Sequence, residues 1–225
     1  MKKLSVKDLI EFRRKSDRGK KTFVESIKAK VIEAPTVGGG DYWITSLSAV
    51  CNSFKQDSIE LVDKKIDELN RKLSDSQHSI TKNMYNRNIS ILERYKKMDS
   101  KMLRPNGKLS FLKKSTGDSL LTIKGIQVKS NPSHIYAFGT KTEEKVGAIW
   151  FVAKVNGYRI EEVGMFCEML YRFLVNNYSK EYLVDSKYCI AVDTLSGHRV
   201  KYSQIEDGDI SPMLNSTLYE LSKLL

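Results

Sequence analysis

The chain has 225 residues, 29% of them charged, and a formal net charge of +11. That length is enough to bury one ordinary core, and the cationic surplus favours an acidic partner, with nucleic acid ahead of a membrane surface. Cys51, Cys167 and Cys189 lie far apart, with no CxxC and no histidine at zinc-ligand spacing, so they read as buried free thiols of a reducing cytoplasm rather than a metal site or disulfide framework.

Residues 1–35 read as helical. Ser5 followed by Asp8 makes a capping-box start, and Val6, Leu9, Ile10 and Phe12 supply the apolar stripe behind it. MKKLSVKDLIEF lacks the apolar core of a signal peptide, and no run approaches membrane-spanning length. The expectation is a cytoplasmic protein with no membrane partner. The bases Arg13, Arg14, Arg18, Lys20 and Lys21 follow, and Ser16, Asp17 and Gly19 place them on an exposed bend. There they serve either as a grip for phosphates or as a solvated turn. A second short helix carries Phe23 and Ile27.

PTVGGGD, Pro35–Asp41, interrupts regular structure before a helix in which Ile44, Leu47, Val50, Cys51 and Phe54 recur at helical spacing, with Asp41 placed to cap it. Glycine-rich backbone ahead of a helix can offer N–H groups to a phosphate, and Tyr42 and Trp43 are side chains of the kind that stack on bases. No GK[ST] follows and Asp41 would repel an anion, so this is not a P-loop, and the segment reads first as a flexible entry with a structural Trp. Next, Ile59, Val62, Ile66, Leu69 and Leu73 fall three and four apart, and a second helical stretch over 80–95 uses Met84, Ile91 and Leu92. The break at Ser74–Ser79, with His78 on the surface, lets the two pack as an antiparallel hairpin insert spanning 57–97. Such an arm suits a homodimer contact. A polar connector with Pro105, Gly107 and Gly117 then separates a helical part, 1–100, from a sheet-containing core, 119–225.

In that core the run Val146–Val155 is apolar on both faces, which places it inside a covered sheet, with Lys154 as its one charge. A helix over 161–177 buries Phe166, Met169, Leu170, Phe173 and Leu174, with Glu161 and Glu162 in its first turn. Residues Ser186–Tyr202 read as a hairpin with Tyr188, Ile190 and Val192 on one side and a turn at Leu195–Gly197, beyond which His198 is exposed. Ser211 and Pro212 open a last helix. The whole predicts one α/β (α+β) domain: a small mixed central sheet flanked by helices, with a helical N-terminal half.

This order of elements resembles the RecB-type branch of the PD-(D/E)xK nucleases: a helix opening SVKDLIEF, a helical insert, a strand, a strand ending in lysine, and an apolar helix with a central tyrosine. The resemblance covers the second half of the chain and, loosely, the first helix. In that family an Asp on one strand and an Asp or Glu two residues before a Lys bind Mg²⁺ or Mn²⁺, while the Lys assists the attacking water. The resemblance puts the Lys at Lys154, the helix at GMFCEMLYRFL and the family's tyrosine at Tyr171. The chain is also similar to a group of uncharacterised bacterial proteins that share GDYW and VGAI elements, here Gly40–Trp43 and Val146–Ile149.

The residue two before Lys154 is Val152, which cannot hold a metal, and the preceding strand carries His134 but no carboxylate. The leading expectation is therefore a nucleic-acid-binding protein on a nuclease-like scaffold, without a cofactor and without metal-dependent cleavage, with Lys154 as a phosphate anchor. The alternative is a nuclease whose acids have moved to Glu161, Glu162 or Glu168 and to Asp193, gathered round Lys154 to hold Mg²⁺ or Mn²⁺. A third reading is a dimeric adaptor joined through the helical hairpin. For Lys154 the plain structural account is a lysine snorkelling from a strand end. No nucleophile elbow and no Rossmann fingerprint is present.

Overall fold

Residues 3–29, 42–98, 100–113, 119–140 and 142–225 are described by the structure, a computed structural model. The glycine-rich PTVGGGD segment, with its Asp41 cap, and Gly117 lie outside the described residues. The chain opens with β1 (Leu4–Ser5), α1 (Val6–Arg14) and α2 (Asp17–Lys28), followed by α3 (Ile44–Gln56) and the helical hairpin α4 (Glu60–Asp75) and α5 (Ser79–Lys97). Then come β2 (Ser110–Phe111), β3 (Leu120–Ile123), β4 (Ile126–Lys129), β5 (His134–Thr140) and β6 (Glu143–Val152). The chain ends with α6 (Ile160–Tyr178), β7 (Leu183–Asp193), β8 (Arg199–Lys201), α7 (Tyr202–Glu206) and α8 (Leu214–Leu224).

A five-stranded sheet has the order β2-β5-β6-β7-β8, with β6 and β7 parallel and the other neighbours antiparallel. A smaller sheet, β1-β4-β3, is built from the first two residues before α1 and a tight hairpin. The architecture is the expected α/β one: a small mixed central sheet flanked by helices, with a largely helical N-terminal half.

β6 organises both cores because its side chains alternate between two covered faces. Val146, Ala148 and Val152 join α6, α1, α2 and α8 on one side, whereas Ile149 and Phe151 join α3, α4 and α5 on the other. Each fully buried aliphatic or aromatic side chain contributes about 1.5–3 kcal/mol, so neither helical layer is a detachable decoration. Gly147 is needed where β6 shifts register against β7, since a Cβ there would sit 2.7 Å from the Tyr188 carbonyl oxygen.

Several local readings hold. Ser5 and Asp8 form the capping box of α1, whose buried residues are Val6, Leu9, Ile10 and Phe12. The hairpin is antiparallel, as the ion pair between Asp63 at the start of α4 and Lys96 at the end of α5 requires. Tyr188, Ile190 and Val192 share one face of β7.

Others are corrected. Lys20 and Lys21 lie within α2, because the Ser16 hydroxyl accepts from Gly19 N–H and starts a helix where a bend was expected. Of the hairpin stripe, Val62, Ile66 and Leu69 pack with Ile91 and Leu92 over the sheet, whereas Ile59 is exposed. The last helix begins at Leu214 rather than Ser211, and its cap comes from α6. Glu168 Oε1 accepts from Met213 N–H at 2.8 Å and Leu214 N–H at 2.9 Å.

Candidate functional site

β6 and β7 are parallel and end level with each other, Val152 opposite Asp193. The loops that follow, 153–159 and 194–198, therefore meet beyond the carboxyl ends of the strands, the position where open α/β sheets form a crevice. Asn156 and Gly157 turn the first loop through left-handed backbone, with φ of 66° and 69°. A Cβ on Gly157 would meet Ser196 Cβ at 3.0 Å and Asp193 Oδ2 at 3.2 Å, so the two loops touch there without room for a side chain.

Asp193 ties these loops together. Its Oδ2 accepts from Tyr158 N–H and from the Ser196 hydroxyl, both at 2.7 Å, and its Oδ1 accepts from Leu195 N–H at 3.0 Å. The residue is fully buried, and these three donors compensate the cost of placing a carboxylate there. His198 adds a second tie, with Nδ1 2.9 Å from the Tyr158 carbonyl oxygen. A carbonyl only accepts, so Nδ1 carries the hydrogen and the neutral ring keeps Nε2 as a free acceptor.

Above these loops opens a groove of about 990 Å³, walled by Arg13 and Arg14 from α1, Arg159, Glu161 and Glu162 at the start of α6, and His198. Arg14 grips Glu162 with both arms of its guanidinium; the Nε–Oε1 contact is 2.6 Å. Glu162 Oε2 also accepts from Arg159 N–H at 2.8 Å, closing the first turn of its own helix. Burial pushes the Glu162 carboxyl up, but the Arg14 hydrogen bond, the Arg159 N–H and the two nearby cations together outweigh it and hold the group below the usual carboxylate range. The hydrogen bond to Glu162 is the main cause that raises Arg14 further. Arg13 rests its Nη1 on Thr217 Oγ1 at 3.3 Å and Ser216 Oγ at 3.5 Å, both neutral, and forms no ion pair among the described residues. Arg159 is exposed and forms no ion pair among the described residues.

The residues singled out from sequence separate into groups. Arg13, Arg14, Glu161 and Glu162 reach the groove. Arg18 and Lys21 are exposed on α2, whereas Lys20 is paired with Glu220 at 2.6 Å and lies over the Phe12 ring. Trp43 is 7% exposed and belongs to the core under α3, which removes it as a base-stacking platform; Tyr42, at 50%, remains available. Lys154 is in the same loop but does not line the groove; its amine lies over the Tyr158 ring at 5.7 Å and 4.0 Å from Glu11 Oε1. Its nearest carboxylate is thus from α1, not from α6 or β7.

The donor set does not fit Mg²⁺ or Mn²⁺. Asp193 is committed to the loops, Glu162 to Arg14 and Glu168 to the start of α8, and among the described residues no three His, Cys, Asp or Glu side chains converge as a metal cage. Arg159, Tyr158 and His198 were not expected at a site. The Asn156-Gly157 dipeptide marks a tight turn in the sequence, but nothing in the sequence shows which loop it meets.

No family model, curated protein or solved structure matches the chain. The site's own chemistry is what the functional reading rests on.

Proposed function

We propose that this protein binds nucleic acid, with the phosphate backbone held in the groove beyond β6 and β7, on a nuclease-like scaffold that does not cut by a metal-dependent route. One observation carries the reading: Arg13, Arg14 and Arg159 converge on a groove at the carboxyl ends of parallel strands, in a chain of net charge +11. Guanidinium groups suit phosphate because their N–H fork matches two phosphate oxygens at once. Arg14 is pre-oriented by Glu162, so less side-chain entropy is lost when a ligand arrives. Exposed Arg18 and Lys21 on α2 extend the positive surface beyond the groove, and the Lys154 amine, over the Tyr158 ring, is offered as a further phosphate anchor.

The test is fluorescence anisotropy of labelled single-stranded and duplex DNA and RNA over a series of salt concentrations. Counterion release predicts an affinity that falls steeply as salt rises. Binding that is absent at low salt, or indifferent to salt, removes the proposal.

A further inference from the structure

We propose that the groove cleaves RNA without a metal, using the substrate's own 2′-hydroxyl as nucleophile and Glu161 with His198 as the pair that moves protons. The proposal rests on the nucleic-acid-binding reading and adds a reaction to it. Two acidic residues line the groove, and they differ in what they are free to do. Glu162 is occupied by Arg14 and by the backbone of Arg159, whereas Glu161, half-buried one residue earlier, forms no ion pair among the described residues. His198 is held from both ends of the residue: its N–H donates to Ser196 Oγ at 3.2 Å, its carbonyl oxygen accepts from Asp193 N–H at 2.9 Å, and Nδ1 donates to Tyr158. That leaves Nε2 as the position where a proton can be gained or given. Arg13 and Arg159 stand on the same walls, placed for the negative charge that builds on phosphorus as a fifth oxygen adds.

The chemistry selects RNA. DNA has no hydroxyl beside its phosphate, so cutting it needs a separate nucleophile, and among the described residues no cage of hard oxygen ligands stands ready to activate a water. RNA carries its nucleophile, the 2′-hydroxyl, on the sugar carbon adjacent to the one that bears the phosphate, so a base, an acid and a cation suffice. The Glu161 carboxylate takes the 2′-hydroxyl proton as the new O–P bond forms. The bond from phosphorus to the 5′-oxygen breaks, and the His198 imidazolium gives that oxygen its Nε2 proton. The products are a cyclic phosphate end and a free 5′-hydroxyl, and exchange with water restores both side chains. No oxidant, reductant or added nucleophile is required.

The full chain is incubated with 5′-labelled single-stranded RNA of mixed sequence in EDTA, beside DNA of the same sequence and a 2′-O-methyl RNA. The expected result is cyclic-phosphate-ended fragments from RNA alone. His198→Asn keeps a donor for the Tyr158 carbonyl but lacks Nε2, and Glu161→Gln keeps the shape of its side chain. Each is expected to cut about 100-fold more slowly or worse at saturating RNA, as the loss of a general acid or base does. RNA that is bound but left intact overturns the cleavage and leaves the binding proposal standing. Cleavage that needs added Mg²⁺, that extends to DNA, or that survives both substitutions also overturns it. If RNA is not bound, the cleavage proposal falls; if DNA is not bound either, the binding proposal falls with it.

Discussion

The two faces of the central sheet are closed in the same way by apolar helices, yet the polar groups buried within them differ in kind. Over α3, α4 and α5 the fully buried connector is neutral: Asn88 accepts from Ser46 N–H at 3.0 Å and donates to the carbonyls of Tyr42 at 2.6 Å and Met84 at 2.8 Å. At the margin of that face the partly buried Arg104 pairs with Asp57. On the α6 side and at the strand ends the connectors are acids, Asp193, Glu162 and Glu168, each joining elements distant in sequence. An amide satisfies its neighbours at any pH and leaves the surface above it indifferent to charge. A buried carboxylate needs donors or a cation, and at the rim that cation is Arg14. The charged connectors therefore shape the groove as well as hold the fold.

The comparison can be broken most forcefully at Asp193. Asp193→Ala leaves the Tyr158 and Leu195 N–H groups without their acceptor and is expected to cost about 3–5 kcal/mol, read from the urea midpoint. A loss under about 1 kcal/mol would mean that solvent replaces the carboxylate and that the loops are not tied as described. Asn88→Ala is next, at about 2 kcal/mol, and its effect should not change with pH. A pH-dependent loss there would erase the distinction between the faces.

Arg14→Ala should cost about 1 kcal/mol at neutral pH, since solvent reaches the arginine and screens the pair. Here the sign is fixed by the lowered Glu162 carboxyl. The wild-type advantage is complete above the ordinary glutamate range and disappears as pH falls through the lowered folded value. Parallel pH–stability curves for the two proteins would contradict it.

Glu168 has the opposite sign and the smallest effect. Burial raises its carboxyl, against the pull of the Leu214 and Met213 N–H groups. Its contribution to stability therefore grows as pH falls through the raised value, because the folded state takes up the proton first. Both N–H groups bond to one oxygen, Oε1, so Glu168→Gln can keep them and should change stability by less than about 1 kcal/mol at neutral pH while removing this dependence. A large loss would mean that the charge itself is needed.

Most of the fold could be read from the chain because its signals are local. The two-faced apolar run of β6, the three-and-four spacing in α4, α5 and α6, and the Ser5–Asp8 box each fix an element from its own residues. β1 and β2 are two residues long and exist only by pairing with β4 and β5, so no local pattern announces them. The start of α8 depends on a side chain from α6, 45 residues away in sequence.

The site was half legible for the same reason. Arg13, Arg14, Glu161 and Glu162 stand out as charges at helix ends. Trp43 could serve as a structural residue or a stacking surface, and the cluster it shares with α3, α4, α5 and the sheet decides for the first. His198 enters the groove only because β6 and β7 end level and their loops are tied through Asp193 and Tyr158. Lys154 drew notice as a charge in an apolar run, but the same pairing brings Arg159 and His198, not Lys154, to the wall of the groove.

The most direct test of the groove is the salt dependence of single-stranded nucleic-acid binding by the Arg13→Ala/Arg159→Ala double variant beside the wild type. If these arginines hold phosphates, the slope of log affinity against log salt should become shallower by about 0.7 for each phosphate no longer neutralised, with the thermal midpoint unchanged. An unchanged slope with undiminished affinity would place the nucleic acid elsewhere on the molecule and contradict the groove as its binding surface.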